Sequence, residues 1–165
     1  TVNVDLQNPN NFDDLPRLQV MQRWCEVSLQ EQTRQRSFRN SVSVLIRVVD
    51  NDESENLNQN YRSKEGPTNV LSFPNDVSEF MTGIPELVEQ SSHLGDLVVS
   101  EALVRSEALE QSKQLQAHWA HLIVHGVLHL QGFDHIDDME AEQMEALEIQ
   151  LLEKLGFANP YAMLS

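Results

Sequence analysis

Two kinds of hydrophobic period alternate along this chain, and their alternation limits the fold more than any other feature of the sequence. Apolar residues alternate with polar ones over 2–6, as in a strand, and recur at helical spacing from Pro16 to about Gln32. A second strand is predicted over 41–50, where both faces are apolar, as a central strand requires. Because a helix separates these two strands, we expect a small mixed sheet with helices packed on it.

The rest of the chain continues the mixture of strands and helices. In chain order we predict a helix capped by Asp50 or Asn51, an edge strand over 70–73, a strand over 94–99, a helix from Ser100, and helices over about 115–131 and 137–155. Residues 75–92 have no strong period and are expected to form a long surface loop. The predicted fold class is therefore α+β, with a mixed sheet of about four strands and about five helices.

The length and the cysteine count indicate the class of protein. With 165 residues, 40% of them hydrophobic, the chain fits one compact domain over 1–165. No apolar run approaches the roughly 18 residues of a membrane span, so we expect a soluble protein without a membrane partner. Cys25 lies on the apolar face of the first helix with Leu18, Met21 and Leu29, and has no second cysteine to pair with. The start of the chain lacks a secretory pattern, which favours a reducing cytoplasm.

The charge balance decides which nucleic-acid contacts are open to the protein. Eleven basic residues against 26 acidic ones give a net charge of −15, which excludes a protein that coats nucleic acid through bulk electrostatics. Six of the eleven basic residues lie in the first 47 positions, whereas 134–153 contains no Lys or Arg. Any nucleic-acid contact must therefore be local, on a surface where basic residues gather.

Histidines cluster near the end of the fourth predicted helix. Five of the six lie within 18 residues, and the last three have the spacing His125-x-x-x-His129-x-x-Gly132-x-x-His135. His125 and His129 are four apart and so share one face of a helix, and Gly132 can take the left-handed conformation that turns the chain back toward that face. Three neutral imidazoles leave one position of a tetrahedral ion open for water, the arrangement of a catalytic zinc. The spacing therefore predicts a metal site at a helix end.

The same spacing occurs in the metzincin proteases, in which a glutamate that follows the first histidine acts as general base. Here that position is Gly126, so either the substrate or the base must differ. The nearest carboxylate in the sequence is Asp134, which can orient a ligand, act as the base or cap the following turn. His118 and His121, upstream on the same helix, are assigned structural or hydrogen-bonding roles.

Three further segments, taken with the histidine motif, resemble one protein family. The motif runs His125-Gly-Val-Leu-His129-Leu-Gln-Gly132-Phe-Asp134-His135, and the other segments are Tyr61-Arg62, Pro67-Thr-Asn-Val-Leu-Ser-Phe-Pro74 and Leu94-Gly-Asp96. Together they closely resemble the YbeY family of bacterial endoribonucleases, and the likeness covers most of the chain. Glu65 stands where that family often has aspartate, so the carboxylate is kept.

The resemblance implies a zinc-dependent endoribonuclease of the bacterial cytoplasm that selects single-stranded RNA. It implies a role in ribosomal RNA maturation, notably at the 3′ end of the small-subunit RNA, and in ribosome quality control, with the ribosome or ribosomal proteins as partners. By position, His125, His129 and His135 are the implied ligands of one zinc ion per chain, and Arg62 is the basic residue needed for activity. A planar guanidinium suits this role because it holds a phosphate through two hydrogen bonds.

Other interpretations of the same residues stay open. Arg62 can instead pair with Glu65 or another acid, and Lys64 and the arginines at 34, 36 and 39 either guide the RNA backbone toward the metal or are merely solvated. The histidine spacing also fits a zinc peptidase or amidase, which the glycine after the first histidine disfavours. A third hypothesis is a non-catalytic ribosome-assembly factor in which zinc braces the fold.

Overall fold

The computed structural model describes residues 2–29, 42–75, 93–134 and 136–162. Within these ranges it contains four strands and five helices, which confirms the predicted fold class. In chain order they are β1 (Val2–Gln7), α1 (Leu18–Ser28), β2 (Val42–Val49), α2 (Asn51–Arg62), β3 (Val70–Pro74), β4 (His93–Ser100), α3 (Glu101–Glu110), α4 (Leu115–Leu130) and α5 (Asp138–Lys154). The predicted surface loop after Asn75 and the arginines at 34, 36 and 39 lie outside the described residues.

The four strands form one mixed sheet in the order β1-β2-β4-β3. β1, β2 and β4 run parallel, and β3 joins the far edge antiparallel to β4. β2 is an interior strand, as its two apolar faces predict, and Val44, Ile46 and Val48 are fully buried. The predicted edge strand that ends at Pro74 is also at an edge, the position in a sheet where proline is tolerated.

The central helix of the fold is α4. It contacts β3 and β4 of the sheet as well as α1, α3 and α5. Ten of its 16 residues are buried, which explains why its sequence is apolar on nearly all sides. No helix in the described ranges, α4 included, combines the length and hydropathy that crossing a membrane requires. The fold thus builds its core around a helix that also bears four histidines.

Side chains cap three of the predicted helix starts. Asp50, Ser100 and Asp137 each accept a hydrogen bond from the backbone N–H three residues later. Each cap satisfies a backbone donor that the first turn of a helix leaves unpaired, and is worth about 1 kcal/mol. The beginnings of α2, α3 and α5 are therefore set by local chemistry that is visible in the sequence.

The buried face of α1 differs in one residue from the predicted stripe. Met21, Cys25 and Leu29 are buried as expected, whereas Leu18, in the first turn, is 41% exposed. Trp24 is buried instead, and its ring contacts that of Phe157 edge to face with 6.0 Å between the centroids. The indole offers more apolar area than leucine, so its burial decides which side of α1 faces the core.

The thiol of Cys25 is predicted to be inert in the folded protein. Burial, reinforced by the negative charge of Glu26, raises the pKa of this thiol to about 12. The thiolate, which is the reactive form, is then about a thousandfold scarcer than in an exposed thiol. We expect a chromogenic disulfide reagent to leave the native protein unmodified at mildly alkaline pH and to modify the thiol once urea unfolds the chain. Rapid labelling of the native protein would contradict the burial of this face of α1.

Candidate active site

Two histidine side chains converge at the C-terminal end of α4. His125 and His129 are one helical turn apart, and their ring centroids lie 4.5 Å from each other with the planes at 81°. Their Nε2 atoms are 3.0 Å apart. The helical spacing therefore brings two imidazole nitrogens to one point at the protein surface.

The chain turns sharply after α4 because Gly132 takes a left-handed conformation, with φ of 101°. The N–H of Gly132 donates to the carbonyl of His129 at 3.0 Å, and the N–H of Phe133 donates to the carbonyl of Leu128 at 3.1 Å. These two bonds satisfy helix carbonyls that have no partner within the helix. The turn brings the Phe133 carbonyl to 2.8 Å from Nδ1 of His129, which donates to it.

A buried carboxylate from α5 holds the other imidazole. Glu148 is 1% exposed, and its Oε2 accepts a hydrogen bond from Nδ1 of His125 at 3.1 Å. Its Oε1 accepts from Nε2 of His121 and from the hydroxyl of Tyr161, each at 2.7 Å. Carboxylates that accept from Nδ1 of a histidine commonly fix the ring orientation in metal sites.

Glu148 is ionised in this setting. Burial by itself raises the pKa of its carboxyl, but the hydrogen bonds and the electrostatic attraction of His121 and His125 together outweigh burial and lower the pKa to about 2. Burial and the Glu148 charge raise the pKa of Tyr161, so its hydroxyl keeps its proton and donates. Three donors thus surround one buried negative charge.

Sequence reasoning missed Glu148, although a signal was present. The residue lies four positions after Met144 and three before Leu151, both of which are buried on the apolar stripe of α5. A charged residue at a buried helical position needs partners, since an unpaired buried charge is costly. In the described part of the chain, His121, His125 and Tyr161 are these partners.

The donor set of the two histidines fits a metal ion. Both Nδ1 atoms donate, to Glu148 and to the Phe133 carbonyl, so in neutral rings both Nε2 atoms bear lone pairs. Two lone pairs 3.0 Å apart repel unless a cation or a proton lies near both. The implied third ligand, His135, lies outside the described residues, and among those described no group of three His, Cys, Asp or Glu side chains comes close enough to hold a metal.

An open groove of about 770 Å³ brings the other predicted site residues to the histidine pair. Arg62, Lys64 and Asp134 line it together with His125 and His129, and β3 contributes a wall. Among the described residues, the Arg62 side chain makes no ion pair with Glu65 or any other acid. The Arg62 side chain is exposed where it lines the groove.

The position after the first histidine packs closely against the sheet. A Cβ on Gly126 would lie 2.7 Å from Cδ2 of Leu97 and 3.4 Å from Oγ of Ser72. The Ser72 hydroxyl also donates to the Gly126 carbonyl at 3.1 Å. Because the glycine packs against the sheet, a larger residue at this position would require the Leu97 side chain to shift. The general base of the metzincin proteases thus has no counterpart at this position.

The upstream histidines of α4 are both bonded to carboxylates. Nε2 of His118 is 2.8 Å from Oε1 of Glu107, and burial lowers the pKa of this ring. Asn69, a residue of the groove wall, donates to the same carboxylate at 3.1 Å. The second upstream ring, His121, donates to Glu148. Both rings make hydrogen bonds of the kind that the sequence led us to expect.

Replacing Glu148 is predicted to destabilise the fold. In Glu148→Gln an amide N–H faces one of the three donors, so that hydrogen bond is lost. The charge that the other donors stabilise is lost as well. The free energy of unfolding should therefore fall by about 2–4 kcal/mol. Urea denaturation in the presence of a chelator measures this effect without a contribution from bound metal. The control Glu145→Gln, on the exposed side of α5, should change the stability by no more than about 0.5 kcal/mol. Equal stability of the two variants would contradict the network.

Comparison with known proteins identifies the family of the chain. The sequence model of the family "Endoribonuclease YbeY" matches residues 6–156. Endoribonuclease YbeY from Coxiella burnetii strain Dugway 5J108-111 is 45% identical over 160 residues, which cover 97% of this chain and 98% of the relative. The same protein from strain RSA 331 / Henzerling II matches with the same values.

A solved structure has the same fold. The solution structure of TM1509 from Thermotoga maritima superposes with a TM-score of 0.54 and 23% sequence identity, covering 94% of this chain and 89% of that one. At this identity the likeness concerns the arrangement of strands and helices alone. The family match over 6–156 and the 45% identity to relatives of nearly equal length show that this chain is a member of the YbeY family of endoribonucleases.

Proposed function

We propose that this hydrolase cleaves single-stranded RNA with the help of one zinc ion held by His125, His129 and His135. The observation that supports this most directly is the groove itself, in which two convergent imidazole nitrogens and an exposed guanidinium line the same space. The ion supplies Lewis acidity, which stabilises charge on a phosphoryl oxygen and lowers the pKa of water. Because Nδ1 of His125 and Nδ1 of His129 donate hydrogen bonds, the Nε2 atoms of the neutral rings carry the lone pairs through which imidazoles bind zinc.

Arg62 binds the scissile phosphate in this proposal. It is the last residue of α2, and Ser63 ends that helix in a left-handed conformation with φ of 55°. A guanidinium has paired donors that match two phosphate oxygens, and it keeps its charge as the transition state forms. Lys64, two residues on, adds a second positive charge that attracts the RNA backbone.

We propose that Asp134 acts in proton transfer during the reaction. It is exposed in the groove and directly precedes His135 in the sequence. A carboxylate beside a hydrolytic centre can accept the proton of the attacking water or hold the nucleophile in line. The position after His125, which serves this purpose in the metzincin proteases, is Gly126 in this chain and offers no carboxylate.

The wider role that we propose is ribosomal RNA processing in the cytoplasm, notably at the 3′ end of the small-subunit RNA, together with ribosome quality control. Membership of the YbeY family supports the RNA substrate. The net charge of −15 restricts binding to the local cationic groove, which favours a partner such as the ribosome or a ribosomal protein that delivers the RNA. We further propose that 1–165 acts as one endoribonuclease domain, supported by a family match that extends from 6 to 156.

Loss of one histidine ligand is predicted to remove both metal and cleavage. The native protein should contain about one zinc per chain and cut a single-stranded RNA, whereas His129→Ala and the chelated native protein should do neither. Elemental analysis and gel electrophoresis of a labelled RNA measure the two properties on the same samples. His93→Ala is the matched control, because His93 does not line the groove, and it should keep both properties.

Each other outcome of this experiment favours a different function. Full cleavage by metal-free protein would exclude the metal-dependent mechanism. Bound zinc with intact RNA, and hydrolysis of a casein peptide pool, would identify a peptidase. Bound zinc without either activity, in a protein that still supports ribosome maturation in cells, would identify a non-catalytic assembly factor.

Arg62 is predicted to act on the reaction and not on the fold. Arg62→Ala should lower the rate of RNA cleavage by about 100-fold, because it removes the donors that stabilise phosphate charge in the transition state. Arg62→Lys should recover part of this loss, since it restores the charge without the paired donors. Zinc content and stability should stay at native values in both variants.

A surface arginine provides the control for this prediction. Arg105 forms an ion pair with Glu101 on α3 and does not line the groove. Arg105→Ala should therefore cleave RNA at the native rate. An equal loss of activity in the Arg62 and Arg105 variants would show that net charge, and not the position of Arg62, determines cleavage.

A further inference from the structure

Tyr61 is an aromatic residue that the fold leaves exposed in the groove. It precedes Arg62 at the end of α2, one helical turn after Leu57, and is 68% exposed. Leu57 does pack on the sheet, against a cluster formed by Val49, Leu71 and Val98. Large aromatic side chains are usually covered in folded proteins, so an exposed ring beside a catalytic groove needs an explanation.

Phe73 of β3 supports the exposed ring. The two ring centroids are 5.3 Å apart with the planes at 78°, an edge-to-face contact. Phe73 itself packs against the cluster of Val49, Leu71 and Val98, so its position is fixed by the sheet. An edge-to-face contact covers at most one face of one of its rings, and a flat aromatic surface therefore stays open to the groove.

The open ring lies beside positive charge. Arg62 follows Tyr61 directly, and Lys64 lines the same groove. Aromatic faces next to cationic side chains form the usual binding surface for single-stranded nucleic acid, because bases stack on the ring while phosphates meet the charges. A base in a duplex is already stacked on both sides and cannot offer its face in this way.

We propose that Tyr61, held by Phe73, is a stacking subsite for one unpaired nucleobase of the RNA whose phosphate binds Arg62. This inference rests on the proposed RNA-cleaving function of the groove and adds the group that selects single strands. Substitution of the ring should therefore affect recognition of the base, while leaving contacts with the sugar-phosphate backbone unchanged.

Binding to oligonucleotides with and without bases tests the proposal. Fluorescence anisotropy with metal-loaded protein and a 2′-O-methyl single strand, shown by gel electrophoresis to stay intact during the titration, gives affinities without turnover. Tyr61→Ala should weaken binding of the full strand about tenfold and leave unchanged the binding of a strand of equal length with abasic central positions. Tyr61→Phe keeps the ring and should bind both strands within about twofold of the native protein. Leu109→Ala, which removes an exposed apolar side chain outside the groove, is the matched control.

A second readout reports stacking directly. The fluorescence of 2-aminopurine at the central position should be quenched on binding to native protein and to Tyr61→Phe, and should stay bright on Tyr61→Ala at saturating protein. Equal weakening of the full and abasic strands by Tyr61→Ala would overturn the proposal, as would an unchanged affinity for both. If the native protein binds neither strand, the RNA function of the groove fails as well. If it cleaves RNA but binds both strands equally, only the stacking subsite fails.

Discussion

The structure depends on the need to satisfy a stripe of histidines on a helix that is otherwise buried in apolar surroundings. His118, His121, His125 and His129 follow one another at three- and four-residue spacings along α4, with neighbouring ring centroids 6.2, 6.4 and 4.5 Å apart. Every ring needs a hydrogen-bond partner, because buried polar groups without partners are costly. Glu107 is hydrogen-bonded to His118, and Glu148 accepts from His121 and His125. The Phe133 carbonyl accepts from His129.

Glu148 connects this stripe to the outer layer of the protein. Its carboxylate takes hydrogen bonds from two rings of α4 and from Tyr161 near the end of the described chain, so α4, α5 and the residues after α5 meet at one charge. Placing that charge in the interior is unfavourable by itself, and the three donors offset the loss of hydration. The last helix thus has a part in the site although it supplies no residue to the groove wall.

Much of the fold was predictable because its signals are local. The alternating pattern of β2, the caps at Asp50 and Ser100, and the left-handed turn at Gly132 each depend on residues close together in the sequence. The convergence of His125 and His129 follows from helical spacing alone. Only the family resemblance indicated that Arg62 acts together with the histidines. Their proximity depends on how β3 pairs with β4 and packs against α4, which local sequence patterns do not specify.

Other parts of the site required the tertiary structure. Glu148 looked like one acid among many on an acidic helix, and only its burial against α4 shows that it is different. Tyr61 is exposed at the end of α2, whereas Leu57, one turn earlier, packs against the sheet, and the helical spacing of these two residues does not distinguish them. On α1, Trp24 is buried and Leu18 is 41% exposed, because the larger indole offers more apolar area to the core. His135 lies outside the described residues, so its role as a ligand stays a prediction.

The close approach of β3 and α4 at Gly126 has a consequence for how the groove meets its ligand. With only a hydrogen atom as a side chain, the glycine lets Ser72 bond directly to the helix backbone, so the strand that forms one wall and the helix that bears the histidines are joined without an intervening layer. Relative sliding of two elements joined in this way breaks a hydrogen bond and disturbs packing at Leu97. The groove therefore loses little conformational entropy when a strand binds. Less of the interaction energy is spent on ordering the protein than in a flexible groove, so the affinity is higher.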